Sequence, residues 1–156
     1  MSDNEQIEYK FELQKIYFKS TNFTTENTPA VFLDEWKPAI EIDLKTRADK
    51  LSDTTYEVVV EVLAKVTDID DKEKVLFTAS VEQAGIFDIA GYNEQELVGL
   101  LGSHCPSQLY PYARHQISQL ALHGGFPQML LAPVNFDEML EQAVKDAEAN
   151  AADEKA

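Results

Sequence analysis

Alternation of apolar and polar residues dominates the middle of this chain. Over residues 56–66 almost every even position is apolar, while Glu57, Glu61 and Lys65 mark the odd positions. A period of two is typical of a β-strand with one buried face and one face in water. Residues 75–82 alternate in the same way after a polar turn, so the two runs predict neighbouring strands of one sheet.

Two further strands are predicted before these. Within residues 9–24 the apolar positions change parity between Leu13 and Ile16, which predicts a bulge or a bend near Lys15. Residues 40–45 alternate cleanly, so one face of this strand is expected to be buried. The apolar residues expected on that buried face are Ile40, Ile42 and Leu44.

Helical spacing follows the last strand. Asn93 is the predicted N-cap of a first helix that Pro106 limits, and a second helix is predicted from Pro111 to the glycine pair at 124–125. A third is predicted after Asn135. Because the strands precede the helices, the pattern predicts an α+β fold, with a four-stranded, mainly antiparallel sheet followed by helices packed on one face.

The length of 156 residues and the apolar fraction of 44% are ordinary for one globular domain. We expect a flexible N-terminus over residues 1–8, a single domain over 9–146 and an acidic, flexible tail over 147–156. The tail contains no large apolar side chain, so it is not expected to bury enough surface to offset its ordering entropy. It is either a solubilising segment or a contact for a partner.

The formal net charge of -15 indicates which partners the chain attracts. Nucleic acid and phosphate-rich membrane surfaces would be repelled, a basic partner would be attracted, and the charge also serves solubility. The first residues have no basic and apolar leader pattern, and no stretch of about 18 apolar residues follows. With a single cysteine as well, the chain is predicted to be cytoplasmic, without membrane insertion.

Candidate chemistry is sparse. Cys105 with His104, His115 and His123 could supply a nucleophile and base or a metal cluster, but the sequence offers one thiol and no nucleophile-elbow or HExxH pattern. The acidic segment 68–73 lacks the central glycine and closing glutamate of a calcium loop. We therefore predict no catalytic residue, no metal site and no cofactor, and an enzyme is the weakest of the functional hypotheses.

The most distinctive feature is the run from Leu101 to Asp137, which contains CPSQLYPYAR and then GGFPQMLLAPVNFD. These motifs, with FELQKIYFKS, VFLDEW, YEVVVEV and QAGIFDIAG upstream, resemble the SecB family of protein-export chaperones. The resemblance implies an ATP-independent holdase that binds unfolded secretory precursors and delivers them to the SecA translocase. It also implies a homotetramer built as a dimer of dimers. The alternative is a divergent chaperone or adaptor that guards a different client without SecA delivery.

Apolar residues in a predicted loop, together with the apolar face of the last helix, suggest a client groove. The loop between Pro29 and Pro38 is unusually apolar, and its residues either cap the core or form a groove that accepts extended apolar segments by burial of area. The resemblance implies the same groove. The residues predicted to line it are Val31, Phe32, Leu33, Trp36, Phe136, Met139 and Leu140.

The resemblance also implies a SecA-contact face and an oligomer interface. The family presents acidic side chains at positions matching Ser20, Thr24 and Ser80, and a leucine matching Thr78, so this chain departs from the pattern. Nearby acidic residues could substitute, namely Glu26, Glu57, Glu61 and Glu82. The residues matching the family's subunit packing are either interface or ordinary core, and they are Phe77, Ala79, Val81 and Gln83.

Overall fold

A computed structural model describes residues 8–154 of the chain, with side chains for residues 8–151. Residues 1–7 and 155–156, where parts of the flexible N-terminus and tail were predicted, lie outside the described residues. Four long strands come first along the chain. They are β1 (Lys10–Thr24), β2 (Pro38–Lys50), β3 (Thr55–Asp68) and β4 (Val75–Ala90).

The strands form one sheet in the order β1-β4-β3-β2, and all neighbouring strands are antiparallel. The edges of the sheet are therefore β1 and β2. The register of β1 against β4 shifts between Leu13 and Lys15, which confirms the predicted bulge. A second shift between Phe18 and Ser20 was not predicted, although it also restores apolar residues to the buried face.

Three helices follow the sheet, and a short 3-10 helix (Ala30–Leu33) lies in the connection from β1 to β2. The three helices after the sheet are α1 (Glu94–Gly99), α2 (Cys105–His123) and α3 (Phe136–Glu154). The predicted caps are confirmed, because Asn93 Oδ1 accepts from the Glu96 amide at 2.8 Å and Asn135 Oδ1 accepts from the Glu138 amide at 3.1 Å.

The predicted break between the first two helices is wrong. A π-helical turn (Leu100–His104) connects α1 to α2, and α2 then continues through both Pro106 and Pro111. The Cys105 amide donates to the Leu100 carbonyl five residues earlier. This wider turn lies directly before Pro106, where a normal helical turn would bring the proline ring against a carbonyl oxygen.

The core lies between the sheet and α2. The helix face of the sheet, which α2 covers, presents the even positions of β3 and the odd positions of β4. Within α2, the side chains that meet this face are fully buried, and they include Leu109, Ala113, Ile117 and Ala121. The α+β prediction is confirmed, with the helices following the sheet and packing on one face.

The predicted burial of β2 is wrong for two of its three apolar residues. Ile40 and Ile42 lie on the helix face, since they pair with Val66 and Ala64, but they remain 50% and 45% exposed. Only Leu44 packs against the core. The reason is position, because α2 crosses β3 and β4 while the edge strand β2 extends beyond its cover.

The predicted acidic tail is helical as far as Glu154, and its flexibility stays a prediction. Within α3, residues 141–151 are exposed. Alanine, glutamate and lysine are strong helix formers, so intrinsic propensity favours a helix here without a packed face.

Candidate functional site

An aromatic cluster surrounds Phe126, just after the turn that ends α2. Its ring centroid lies 4.7 Å from that of Phe77, 5.1 Å from that of Phe32 and 5.8 Å from that of Trp36. Phe77 and Phe126 belong to the core. Phe32 and Trp36 keep 49% and 38% of their surface exposed, so the cluster connects the core to the surface.

A glycine turn makes this arrangement possible. Gly125 has a φ of 90°, which L-residues with a side chain rarely adopt, and a Cβ there would lie 3.2 Å from the Phe32 ring. A shallow cleft of about 170 Å³ opens between the turn and the loop from β1 to β2. Its lining residues are Val31, Phe32, Asp34, Trp36, Gly125, Phe126 and Pro127.

Polar contacts hold the loop from β1 to β2 against the rest of the domain. Lys74 Nζ lies 2.6 Å from Asp34 Oδ2, and Asn27 Nδ2 donates to the Val75 carbonyl at 2.7 Å. The ion pair with Asp34 raises the pKa of Lys74, whose side chain thus stays charged. The apolar loop residues are consequently presented on a fixed segment.

The exposed apolar surface continues from this cluster onto β2. Ile40, Val66 and Phe77 form one cross-strand row on the helix face, so Ile40 lies about 10 Å from Phe77, two strand spacings away. Together we call Phe32, Leu33, Trp36, Ile40 and Ile42 the loop surface. Leu33 is 90% exposed. The two isoleucines were missed by the sequence prediction, which expected them to be covered.

The other half of the predicted groove lies elsewhere. Phe136 is buried against Tyr110, with ring centroids 5.7 Å apart, and the Ser103 hydroxyl hydrogen-bonds to Asp137. Tyr110 precedes the end of α2 at His123 by 13 residues, which corresponds to about 20 Å along the helix. The two halves of the predicted groove therefore lie toward opposite ends of α2 in one subunit, and a single groove that joins them stays a prediction.

The individual residues differ in accessibility. Val31 is 7% exposed and Phe136 is 3% exposed, so both are core residues. Met139 and Leu140 are half-buried, and Leu140 packs over Gly102, where a Cβ would meet its side chain at 2.6 Å. The start of α3 is thus a second, smaller apolar region.

The predicted SecA-contact residues are brought together on the open face, which is the sheet face opposite the helices. Cross-strand pairs join Ser20 to Glu82 and Thr24 to Thr78, and Ser80 lies on the same face in β4. The exception is Glu26, which follows the end of β1 and lies outside the strand ladder.

Basic side chains of the same subunit compensate the acidic residues of the open face. Arg47 lies 2.9 Å from Glu82 and 3.9 Å from Glu61, and Lys19 lies 2.9 Å from Glu57. The hydrogen bond from Arg47 lowers the pKa of Glu82. Three of the four acidic residues expected to substitute for the family's carboxylates are therefore already paired.

Tyr17 extends this network by donating a hydrogen bond from its hydroxyl to Glu57. That bond, followed by the one from Lys19, lowers the pKa of Glu57. Burial and then the Glu57 contact raise the pKa of Tyr17 to about 12. The open face is therefore a polar surface of mixed charge, which the sequence prediction missed.

The residues predicted to form the oligomer interface are buried within the single subunit. Phe77, Ala79 and Val81 are fully buried beneath α2 within the single subunit, and Gln83 is 1% exposed. These residues lie on the helix face of a central strand, as the alternative of ordinary core predicts, and a role in subunit packing stays a prediction.

A large cleft next to β1 contains the apolar surface that the prediction missed. It measures about 540 Å³ and lies between the edge strand β1 and α2. Phe18 and Tyr112 flank it, and they are 47% and 52% exposed. Gln83 lies at its floor, where its Nε2 donates to the Tyr17 carbonyl at 3.1 Å.

The cysteine and histidines do not form a reactive group. Cys105 is fully buried, and desolvation raises the pKa of its thiol to about 12. His104 packs edge-on against Phe11, and His115 contacts Gln119. Within residues 8–151, no three His, Cys, Asp or Glu side chains are grouped to hold a metal ion. None of the described helices combines the length and apolar character needed to cross a membrane.

Comparison with known proteins identifies the family. The model of the family described as "Preprotein translocase subunit SecB" matches residues 4–147. A SecB-like chaperone from Mycobacterium tuberculosis, solved in complex with a peptide from an antitoxin, aligns with a TM-score of 0.65 and 17% identity, over 80% of this chain and 90% of that chain. A protein of unknown function from Streptococcus agalactiae aligns with a TM-score of 0.38 and 10% identity, over 80% of this chain and 98% of that one.

Proposed function

Because this chain belongs to the SecB family, whose members are chaperones and not enzymes, we propose that it is an ATP-independent holdase for unfolded proteins. The prediction that it is not an enzyme is confirmed by that membership. The observation that carries the proposal is the loop surface, where half-exposed Phe32 and Trp36 rest on buried Phe126.

The loop surface suits weak and unselective capture of apolar segments. An aromatic side chain buries about 150–250 Å² when fully covered. The exposed parts of Phe32 and Trp36 would therefore contribute about 2 kcal/mol each at 25 cal/mol per Å². Such burial has no directional requirement, so it favours apolar clients without demanding one sequence.

The edge strand β2 supports binding of a client in an extended conformation. Its outer backbone groups face no other strand of the sheet, and the same strand carries Ile40 and Ile42 of the loop surface. An extended client segment could add to this edge through main-chain hydrogen bonds while its apolar side chains cover the isoleucines.

We further propose that the chain assembles with copies of itself, as the family's homotetramer, a dimer of dimers, implies. The interface would lie at the β1 edge and the exposed side of α2, where Phe18 and Tyr112 flank the cleft of about 540 Å³. Assembly would place several loop surfaces on one particle, and their weak contacts would then act together. Light scattering on Phe18→Ser and Tyr112→Ser should report smaller particles.

The recipient of the client has two candidates. Delivery of secretory precursors to SecA, in the cytoplasm, follows from the family, and an acidic chain suits a basic partner. A different client without SecA delivery is favoured by one observation, which is that Arg47 and Lys19 already neutralise the carboxylates of the open face. The similar chaperone from Mycobacterium tuberculosis is bound to an antitoxin peptide, which is a precedent for the second candidate.

The holdase proposal is tested by aggregation of an unfolded precursor in the absence of ATP. Wild-type chain should suppress the aggregation, and Trp36→Ala should suppress it less while its circular dichroism remains native. Val98→Ala is the matched control, because Val98 is an exposed apolar residue on α1 outside the loop surface. Equal suppression by wild type and a folded Trp36→Ala variant would remove the loop surface as the client site.

A titration with SecA separates the two recipients. Affinity that falls as salt is added would support delivery to SecA, since ion pairing between exposed groups is screened beyond about 8–10 Å at physiological salt. Suppression of aggregation without SecA binding would support the second candidate instead.

A further inference from the structure

The outward side of α2 carries a histidine within the proposed assembly surface. His115 is exposed in the single subunit, and it lies on the crest of the helix between two clefts. One is the cleft of about 540 Å³ beside β1, and the other, of about 500 Å³, lies between α2 and the segment that connects α2 to α3. Pro111 lines both clefts as well, so a copy that covers this side of α2 would also cover His115.

The surroundings of His115 offer no carboxylate to balance a positive charge. Among the described residues that line the two clefts, none is acidic. Helix α2 contains no Asp or Glu either, although the chain has 28 acidic residues. The charged or titratable side chains that share the clefts with His115 are Tyr112 and Arg114 from α2 and Tyr17 from β1.

These neighbours do not favour a protonated ring. Arg114 adds a second positive charge next to His115. The pKa of Tyr17 is raised to about 12, and its hydroxyl is engaged with Glu57 on the open face. The strand β4 and the segment after α2 contribute only uncharged residues, which are Gln83, Gln128, Leu130 and Leu131.

The contact between His115 and Gln119 fits a neutral ring. Gln119 Nε2 lies 3.2 Å from His115 Nε2. An amide nitrogen can only donate, so the ring nitrogen accepts, as neutral imidazole does. Protonation would remove this acceptor and place a charge among side chains that cannot balance it.

We propose that His115 makes assembly of the chain dependent on pH, so that the particle is stable near neutral pH and dissociates in acid. The inference rests on the proposed assembly through the β1 edge and the exposed side of α2. A second copy on this surface removes the ring from water, where an unbalanced charge is costly. The neutral ring can be covered, whereas the protonated ring favours separated subunits.

The direction of the effect follows from proton linkage. Histidine in water takes up its proton near about pH 6.5, and burial without an acidic partner lowers the pKa of a histidine ring. Separated subunits would therefore bind protons more tightly, so assembly is complete above about pH 6.5 and is lost as the pH falls below it. For a dimer that covers one such ring from each subunit, the dissociation constant rises about 100-fold from pH 7.5 to pH 5.5.

Net charge alone predicts the opposite trend, which makes the test discriminating. The formal net charge is -15, and acidification weakens the repulsion between copies. Sedimentation velocity over a dilution series, at pH 7.5 and pH 5.5 and constant ionic strength, measures the dissociation constant. We expect smaller particles at pH 5.5, with native circular dichroism at both pH values.

Two histidine variants test the assignment. His115→Gln should assemble at least as tightly at pH 5.5 as at pH 7.5, because the amide stays neutral. His123→Gln is the matched control, since His123 ends α2 and lines neither cleft, and it should keep the pH dependence of wild type. If His115→Gln fails to fold, the ring protons of His115 provide a second measurement. They should titrate at lower pH in wild type than in Phe18→Ser, which is expected to form smaller particles.

The switch is overturned if wild type assembles at pH 7.5 and equally or more tightly at pH 5.5, and the proposed assembly then still stands. It is also overturned if the pH dependence persists undiminished in His115→Gln, or if the ring titrates alike in wild type and Phe18→Ser. Single subunits at pH 7.5 would refute the proposed assembly and the switch with it. Aggregation suppression by Trp36→Ala bears on neither.

Discussion

Replacing Arg47 with glutamine tests whether basic side chains of the open face weaken docking of a basic partner. The Arg47 guanidinium lies 2.9 Å from Glu82 and 3.9 Å from Glu61, so a basic partner must displace it before pairing with either carboxylate. The side chains of the three residues are 44%, 30% and 41% exposed. Solvent screening limits such exposed pairs to about 0.2–1 kcal/mol.

Arg47→Gln removes this competition and also removes a positive charge that repels the partner. If each effect contributes up to about 1 kcal/mol at low salt, the affinity for a basic segment rises by roughly 5- to 30-fold. The gain should shrink at moderate salt, because the Debye length falls from about 30 Å at 0.01 M to about 8 Å at 0.15 M.

Calorimetric titration with SecA and with a lysine-rich peptide, at low and moderate salt, measures this gain. Lys72→Gln is the control, since it makes the same change of net charge in the exposed turn between β3 and β4. The reasoning is refuted if Arg47→Gln binds the basic peptide no better than wild type. It is equally refuted if Lys72→Gln produces the same gain, because net charge alone would then explain it.

Three further perturbations follow from the structure. Tyr17→Phe should lower the free energy of unfolding by about 1 kcal/mol at pH 7 in urea titrations. The hydrogen bond from Tyr17 lowers the pKa of Glu57, so the stability that this bond contributes is complete above the ordinary carboxyl pKa near about 4.3. It is lost as the pH falls through the lowered pKa of Glu57. A difference in unfolding free energy between wild type and Tyr17→Phe that is undiminished at about pH 3 would contradict this. Gly125→Ala should cost about 1–2 kcal/mol in thermal unfolding, because φ is 90° there, and an unchanged melting temperature would argue against the strained turn. Cys105 should react with a thiol reagent only after unfolding, since it is buried and its pKa is raised to about 12; rapid labelling of the native protein would contradict its burial.

The features that the sequence predicts well are local. Alternation in β3 and β4 identifies a strand and its buried face without knowledge of any neighbour. The change of parity between Leu13 and Ile16 is likewise visible within β1, and it marks a real bulge. Asn93 and Asn135 act on amides three residues away, so their capping roles also follow from short sequence windows.

The features that were missed depend on what lies above or beside an element. The alternation of Ile40 and Ile42 identifies their shared face correctly, but it contains no information on whether a helix covers that face. The same limit applies to Phe77, whose burial under α2 and contact with Phe126 depend on how the helix crosses the sheet. An apolar residue at a family interface position can equally be core.

The ion pairs of the open face can be predicted only when the strand order is known. Arg47 lies on β2 and Glu82 on β4, with β3 between them, so neither sequence spacing nor a predicted hairpin relates them. Once β2 pairs with β3 and β3 with β4, Glu61 lies directly opposite Glu82, and Arg47 is a diagonal neighbour of Glu61 that reaches across β3 to Glu82. Only then does the acidic face become a compensated one.

The separation of the two apolar regions sets a requirement on the client. The loop surface lies near the end of α2, while Met139 and Leu140 lie near its start, about 20 Å away along the helix axis. An extended chain spans about 3.3 Å per residue, so a segment of at least 6 residues is needed to reach both regions of one subunit. A shorter apolar peptide contacts one region at a time, so the losses of affinity caused by Trp36→Ala and by Leu140→Ala should be independent of each other. A longer peptide contacts both regions at once, so both substitutions should lower the affinity of the same complex. Equal dependence of a three-residue peptide on both residues would mean that the two regions form one site after all.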